Sequence, residues 1–272
     1  GQEAGLEPRR LRGWRAAAAT FSATAVVALG FGAPTARLVT WAIDEQQSDR
    51  GTPLLERYRE FLGNSLTLTL TTVAICLVVA IVITNARRFV DPRIVGAANR
   101  MTAVGYAVPG PVVAMGVVLA LVAVDDILER FGSGLPGAVT TGSFIALVYA
   151  YSVRFLAPGL NAVEAGLSQV PHEITASART LGASPSVVVR RIHLPLSRAS
   201  VLTAAILVGV DALKELPIAL LLRPIGFDTI SIWTYNLASE SRFQQAALPA
   251  LTIIGVALVP VAILSRRLDR PS

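Results

Sequence analysis

Residues Thr180–Leu196 read TLGASPSVVVRRIHLPL, a polar, proline-punctuated stretch inside a chain that is otherwise mostly apolar. Gly182 supplies the left-handed position that ends a helix. Ser184 followed by Pro185 gives an N-cap with proline at the first helical position, so a second short helix starts at once. Arg190 and Arg191 fall in its last turn, where the helix macrodipole favours cations. Pro195 is expected to halt it and to bias Leu194 to an extended conformation. Just upstream, VPHEITASARTL (170–181) places Ile174, Ala178 and Leu181 at i, i+4 and i+7 on one apolar face, with His172, Thr175 and Arg179 pointing elsewhere. The local reading is helix, tight turn, helix, stop.

Outward from this elbow, composition sets the solvent. Of 272 residues, 53% are apolar and 15% charged, and the mean hydropathy is +0.59, beyond the range of ordinary soluble domains. A hydrocarbon core of about 30 Å needs roughly 20 apolar residues as helix. Six windows qualify: Ala16–Ile43, Phe61–Thr84, Ala103–Val124, Leu135–Leu156, Ala199–Leu222 and Ala246–Ser265. All are expected to be helical, because an open strand edge cannot be satisfied in lipid. The expected fold is an all-α integral membrane protein with six transmembrane helices. Its parts are an N-terminal segment (1–15), a six-span domain (16–265) with the elbow in a loop at 164–198, and a tail (266–272). Pro34 and Arg37 make the first window the weakest.

Charge placement sets topology. Arg9, Arg10, Arg12 and Arg15 precede the first window; Arg87, Arg88, Arg93 and Arg100 lie between the second and third. Arg179, Arg190, Arg191 and Arg198 lie between the fourth and fifth, and Arg266, Arg267 and Arg270 follow the sixth. The alternate connections carry Asp44, Glu45, Asp49, Glu56 and Glu60, then Asp125, Asp126 and Glu129. The positive-inside rule therefore puts both termini in the cytoplasm of a multi-pass membrane protein. The net charge of +6 is accounted for by topology, and a nucleic-acid partner is not expected. An arginine-rich start before an apolar run also has the look of a signal peptide, but the run is too long and the charge pattern closes only if the segment stays.

Several chemistries are missing. Lys214 is the only lysine and no glycine-rich loop leads into it, so the phosphate-cradling loop of nucleotide hydrolases is not expected. His172 and His193 have no partner at metal-ligand spacing, and Cys76 is the only cysteine. A serine hydrolase triad would have to join membrane depth to the loop. The expectation is a chain that is not an enzyme, with no metal site and no cofactor of its own.

Two readings of the elbow stand at this point: an amphipathic pair lying on the membrane surface, or a docking element for a cytoplasmic partner. The small residues Ala176, Ser177, Ala178 and Ala183 around the turn suit close insertion into a groove. The spacing Gly182, nine residues, Ile192, one residue, Leu194–Pro195 resembles the EAA loop of the permease subunits of binding-protein-dependent ABC importers, of type I (MetI-like) fold. That resemblance implies that the loop is a coupling helix inserting into a cleft of an ATPase subunit, with Ala176, Ser177, Ala178, Arg179, Leu181, Gly182, Ala183, Ile192, Leu194 and Pro195 as coupling residues. Ala176 stands where the family has the glutamate that pairs with the ATPase. Glu173, one turn earlier, or a second permease half would have to supply that charge.

The fifth window carries a charged cluster, VGVDALKELPIALLLRP (208–224). Asp211, Lys214 and Glu215 at i, i+3 and i+4 share one helical face, so either acid can neutralise the lysine. A charge at that depth costs at least a few kcal/mol, so the face should look into the bundle or a water-filled path. Pro217 removes a backbone donor and frees the Leu213 carbonyl, which suggests a bent helix end. Either an internal ion pair locking helices or a translocation-path role fits. LKELPIALLLRPIGFDTISIWTYNLASE (213–240) is similar to ferric-iron uptake permeases, which typically read KELPATLLLRP there. Those permeases are often two six-helix halves in one chain, and this sequence looks like the C-terminal half, in keeping with a start at Gly1 without Met.

Among smaller signals, AVPGPVVAMG (107–116) in the third window reads as a kink or as close helix packing through small residues. Gly105 with Gly110, and Gly132 to Gly137, read as packing or turn glycines. Trp14, Trp41 and Trp233 fall near expected membrane ends as interfacial anchors. Glu164 has Arg154 or Arg198 as candidate partners. The resulting expectation is a permease half driven by a partner ATPase dimer carrying Mg-ATP. An extracytoplasmic binding protein delivers substrate, a second half completes the pore, and lipid surrounds both. Ferric iron is the expected cargo, with thiamine, sulfate or a polyamine as alternatives. An ion-coupled secondary transporter using Asp211, Lys214 and Glu215, or a non-transporting scaffold, are the rivals.

Overall fold

A computed structural model describes residues 11–47, 52–88, 102, 104–130 and 142–268. Arg9, Arg10, Asp49, Arg93, Arg100, Gly132, Gly137, Arg270 and the first residues of the expected fourth window lie outside that set.

Every regular element among the described residues is a helix. They are α1 (Trp14–Gln47), α2 (Thr52–Ala86), α3 (Gly110–Arg130), α4 (Phe144–Ser168) and α5 (His172–Thr180). After them come α6 (Pro185–Leu196), α7 (Arg198–Lys214), α8 (Pro217–Leu222), α9 (Ile230–Ser239) and α10 (Phe243–Leu268). Four helices (α1, residues 56–86 of α2, α3 and α4) are long and apolar enough to cross a membrane. The pair α6 and α7, bent by 77°, makes a fifth if counted as one span. The sixth window, Ala246–Ser265, falls inside α10 (Phe243–Leu268).

The core forms where α2, α4 and α7 pack on one another. Leu68 and Cys76 of α2, Leu147, Tyr151 and Phe155 of α4, and Val208 and Ala212 of α7 are all buried there. The short α8 lays Ile218 and Leu222 against Val113 and Val117 of α3. On the flank, α10 packs against α1 and α9, and Trp41 stacks on Phe243 at 5.7 Å. Phe21, Val26 and Leu29 of α1 are exposed, as expected of a helix whose other neighbour is lipid.

Three boundaries differ from the sequence expectation. The fourth window, Leu135–Leu156, stops short of the end of α4, which continues to Ser168 through Pro158. Its polar end is tolerated because Glu164 faces Arg87 in an ion pair. Pro195 does not stop the elbow: Leu194 is helical at φ −62° and ψ −47°. A wide turn at Val189–His193 precedes it, in which the Leu194 N–H reaches the Val189 carbonyl five residues back. The same device carries α1 past Pro34, where the Ala33 N–H bonds the Ala28 carbonyl. A prolyl nitrogen has no hydrogen for the carbonyl four residues back, and a widened turn re-registers the ladder around that gap. Finally, the fifth window is not one helix. It breaks at Glu215, which is extended at φ −68° and ψ 120°.

Candidate functional site

The elbow is built as the sequence suggests, as two helices joined at a tight turn. α5 ends in a turn at Gly182, whose φ of +84° is open to glycine at little cost. The Gly182 N–H bonds the Arg179 carbonyl and the Ala183 N–H bonds the Ala178 carbonyl. Arg179 also donates to the Ala183 carbonyl at 3.1 Å, closing the turn from the side. Ser184 is extended ahead of Pro185 but makes no side-chain cap; its hydroxyl bonds that of Ser186 instead. The expected apolar face lies outward: Ile174 is 40% exposed and Leu181 88%. Thr175, placed elsewhere by the periodicity, is the residue of α5 that is buried.

Thr175 turns inward because polar groups wait for it. Its hydroxyl lies 2.9 Å from His193 Nε2, and Arg88 donates to the same oxygen at 2.9 Å. His193, fully buried, reaches Asn85 Oδ1 through Nδ1 at 2.6 Å. Asn85 Nδ2 in turn donates to the Ile81 carbonyl at 2.8 Å. The second arm of Arg88 donates to the carbonyls of Leu167 and Val170 at the end of α4. Ser197 donates to the His193 carbonyl. Burial foremost, then the charge of Arg88 and the neighbouring His172, hold the His193 ring below its ordinary pKa, so the neutral form is favoured. Sequence reasoning missed this network. The available signal was a neutral Asn at the end of an apolar span and a histidine in a helix with no metal partner.

A second polar node sits where two helices break. The short turn 104–107 ends at Val108 and Pro109, and α3 starts at Gly110; α7 ends at Lys214 before Glu215. Arg154 of α4 bridges the two, with Nη1 donating to the Val108 carbonyl at 2.6 Å and Nε 3.3 Å from Glu215 Oε2. Glu215 Oε1 accepts the Ile218 N–H at the start of α8. The Glu215 carbonyl accepts both the Tyr151 and the Ser231 hydroxyls. The expected single face of Asp211, Lys214 and Glu215 is thereby split. Lys214 pairs with Asp211 at 2.8 Å and its side chain is 60% exposed, while Glu215 turns inward to Arg154. Pro217 stands in the first turn of α8, where its missing N–H leaves no bond unmade.

Other residues find different partners from those expected. Glu164 pairs with Arg87, not Arg154 or Arg198. Trp233 is buried against Phe61 and Tyr58 and is no interfacial anchor. A Cβ on Gly105 would lie 2.4 Å from the Val153 carbonyl oxygen, so this glycine serves close packing. Among the described residues no group of three or more His, Cys, Asp or Glu side chains is placed to hold a metal ion.

Comparisons with known proteins fit this architecture. Residues 96–270 match the family described as binding-protein-dependent transport system inner membrane component. The chain is 26% identical over 168 residues to the Fe(3+)-transport system permease protein FbpB 2 of Haemophilus influenzae. That match spans 62% of this chain but only 31% of the relative's length. In fold the chain resembles a bacterial alginate ABC transporter solved with an alginate pentasaccharide-bound periplasmic protein, with a TM-score of 0.76 at 19% identity over 95% of this chain and 96% of that one. It also resembles the MetNI methionine ABC transporter in inward-facing form, with a TM-score of 0.56 at 14% identity over 81% of this chain and 100% of that one.

Proposed function

The chain belongs to the family of binding-protein-dependent transport system inner membrane components, the permeases of ABC importers, and from that premise we propose that it forms one half of an importer for ferric iron. In this reading six spans cross the membrane with both termini in the cytoplasm, residues 16–265 form the permease domain, and a second half, separate or attached upstream, completes the pore. An ATPase dimer carrying Mg-ATP docks on the elbow, and an extracytoplasmic binding protein delivers the cargo. The chain itself holds no cofactor.

The observation that carries the reading is the elbow's outer surface. Ile174, Leu181 and Val187 are exposed on two helices closed by a left-handed glycine turn and tied to the bundle by buried hydrogen bonds. An apolar surface held rigidly suits a protein groove, since ordering costs on binding are already met. Ala176, Ser177, Ala178 and Ala183 lie around the same turn as coupling residues, with Ile192 further along α6. Iron rests on the similarity to the Haemophilus influenzae permease and on the LKELPIALLLRP segment. Asp211 and Lys214 form the polar part of the path, with Tyr106 reaching Asp211 at 3.4 Å.

The test is purification from mild detergent with the co-expressed ATPase and second half, comparing the wild type with Gly182→Asp. The expected result is an ATPase retained by the wild type and lost from the variant, with ferric-iron uptake lost in parallel. Retention and uptake by the variant would overturn the docking role. Uptake of thiamine, sulfate or a polyamine in place of iron would reassign the cargo.

A further inference from the structure

We propose that Asn85, Thr175 and His193, clamped by Arg88, are positioning residues that make the elbow and the end of α2 move as one body, so that displacement at the ATPase is transmitted into the bundle. The inference rests on the docking reading above and names how force leaves the docking surface.

The atoms fix the direction of every bond. Asn85 Nδ2 donates to the Ile81 carbonyl, which leaves Oδ1 as the acceptor facing His193. His193 Nδ1 therefore carries the hydrogen and Nε2 is an acceptor. Thr175 must then donate to that nitrogen, because Nε2 carries no hydrogen, while the threonine oxygen accepts from the Arg88 guanidinium. The chain runs from Arg88 through Thr175, His193 and Asn85 to a backbone carbonyl, with each donor matched to an acceptor. Such a network is well defined only when complete, since a buried polar group left unpaired is costly.

Geometry shows what the network joins. Asn85 belongs to α2, Thr175 to α5 and His193 to α6, while Ser197, at the start of α7, donates to the His193 carbonyl. Arg88 adds the end of α4 through the Leu167 and Val170 carbonyls. The ring of His193 sits in the widened turn at Val189–His193, the segment where the ladder of α6 changes register. Apart from this network, the buried apolar anchor of α6 is Val188. The apolar residues offered to a partner, Ile174 and Leu181, lie on α5 and its turn, and the inward residue of α5 is Thr175. A push on the outer side of α5 therefore reaches α2 through Thr175 and His193.

The experiment uses the full complex of both halves and the ATPase in proteoliposomes and reads three quantities: ATPase retained, ATP hydrolysed, and cargo moved per ATP hydrolysed. Thr175→Val keeps shape and removes the donor; Thr175→Ser restores the donor. Asn85→Ala leaves the contact of Thr175 with Arg88 and removes the bond from α2 to His193. The expected result for Thr175→Val and Asn85→Ala is an ATPase retained as in the wild type and hydrolysis continuing, with cargo per ATP reduced about tenfold, the scale of one buried hydrogen bond. Thr175→Ser is expected to recover most of that loss. Wild-type cargo per ATP in both variants would overturn the proposal, as would loss of the bound ATPase from either, which would make the network a determinant of surface shape. Failure of both variants to assemble while Thr175→Ser assembles would overturn it in favour of a purely structural core. If the wild type itself retains no ATPase, it is the docking reading that falls.

Discussion

Arg154 and Glu215 meet at 3.3 Å across two helix breaks, and the same guanidinium holds the Val108 carbonyl at 2.6 Å. One side chain of the continuous α4 thus fixes where two discontinuous helices stop. Both partners are largely buried, with side-chain exposures of 20% and 9%. Removing one member of such a pair leaves an uncompensated charge and typically costs about 3–5 kcal/mol, whereas removing both is much milder. Glu215→Ala is expected to lower the thermal unfolding midpoint in detergent steeply, and Arg154→Met with Glu215→Gln to recover most of it. Additive losses in the double variant would show that the two residues act separately.

Glycines near this node give a steric test. A Cβ on Gly110 would lie 2.7 Å from Glu215 Oε1, and one on Gly105 would lie 2.4 Å from the Val153 carbonyl oxygen, whereas Gly116 on α3 has no atom within 4 Å. Overpacking typically costs about 1–3 kcal/mol, and glycine in a helix interior is worse than alanine by roughly 0.5–1 kcal/mol. Gly105→Ala is expected to destabilise most, because its neighbour is backbone. Gly110→Ala should destabilise less, since a carboxylate can shift, and Gly116→Ala should be neutral or stabilising. Unfolding midpoints of the three variants check the order.

The exposed ion pair of Asp211 and Lys214 should behave differently from the buried one. With the lysine side chain 60% exposed, the pair is worth at most about 1 kcal/mol of stability. Lys214→Met is therefore expected to leave the unfolding midpoint nearly unchanged while reducing uptake, as a residue of the path would. Unchanged uptake would remove Lys214 from the path.

The helical class and the elbow were legible because long apolar windows and a glycine between two helix signals are local patterns. Gly182 at φ +84° is the clearest case. Pro34 and Pro195 misled because a widened turn before each proline, at Ala28–Gly32 and at Val189–His193, accommodates the missing donor, and nothing in composition marks such a turn. The direction of Thr175 and the split of Glu215 from Lys214 were not legible for another reason. Periodicity ranks faces by apolarity, but the partners that draw these residues inward, His193 and Arg154, come from elements distant in sequence. Glu164 shows the same limit, since its partner Arg87 follows the end of α2, which precedes α3 in the chain.

The His193 network also sets a sign for pH. Burial, then Arg88 and His172, depress the His193 pKa below its ordinary value of 6.5. A group depressed on folding contributes stability that is fully present above the unfolded-state value and is lost as pH falls through the window down to the folded-state value. In chemical terms, protonation would put a hydrogen on Nε2, where the Thr175 hydroxyl already donates, beside the cation of Arg88. The unfolding midpoint is therefore expected to fall as pH is lowered below 6.5. His193→Gln, which cannot titrate, should be less stable than the wild type above that pH yet lose less on acidification. The measurement is the midpoint of both proteins from pH 8 to pH 5, values chosen to bracket a histidine titration of about 6.5. Parallel curves would assign the acid sensitivity to other groups and would mean that His193 stays neutral throughout.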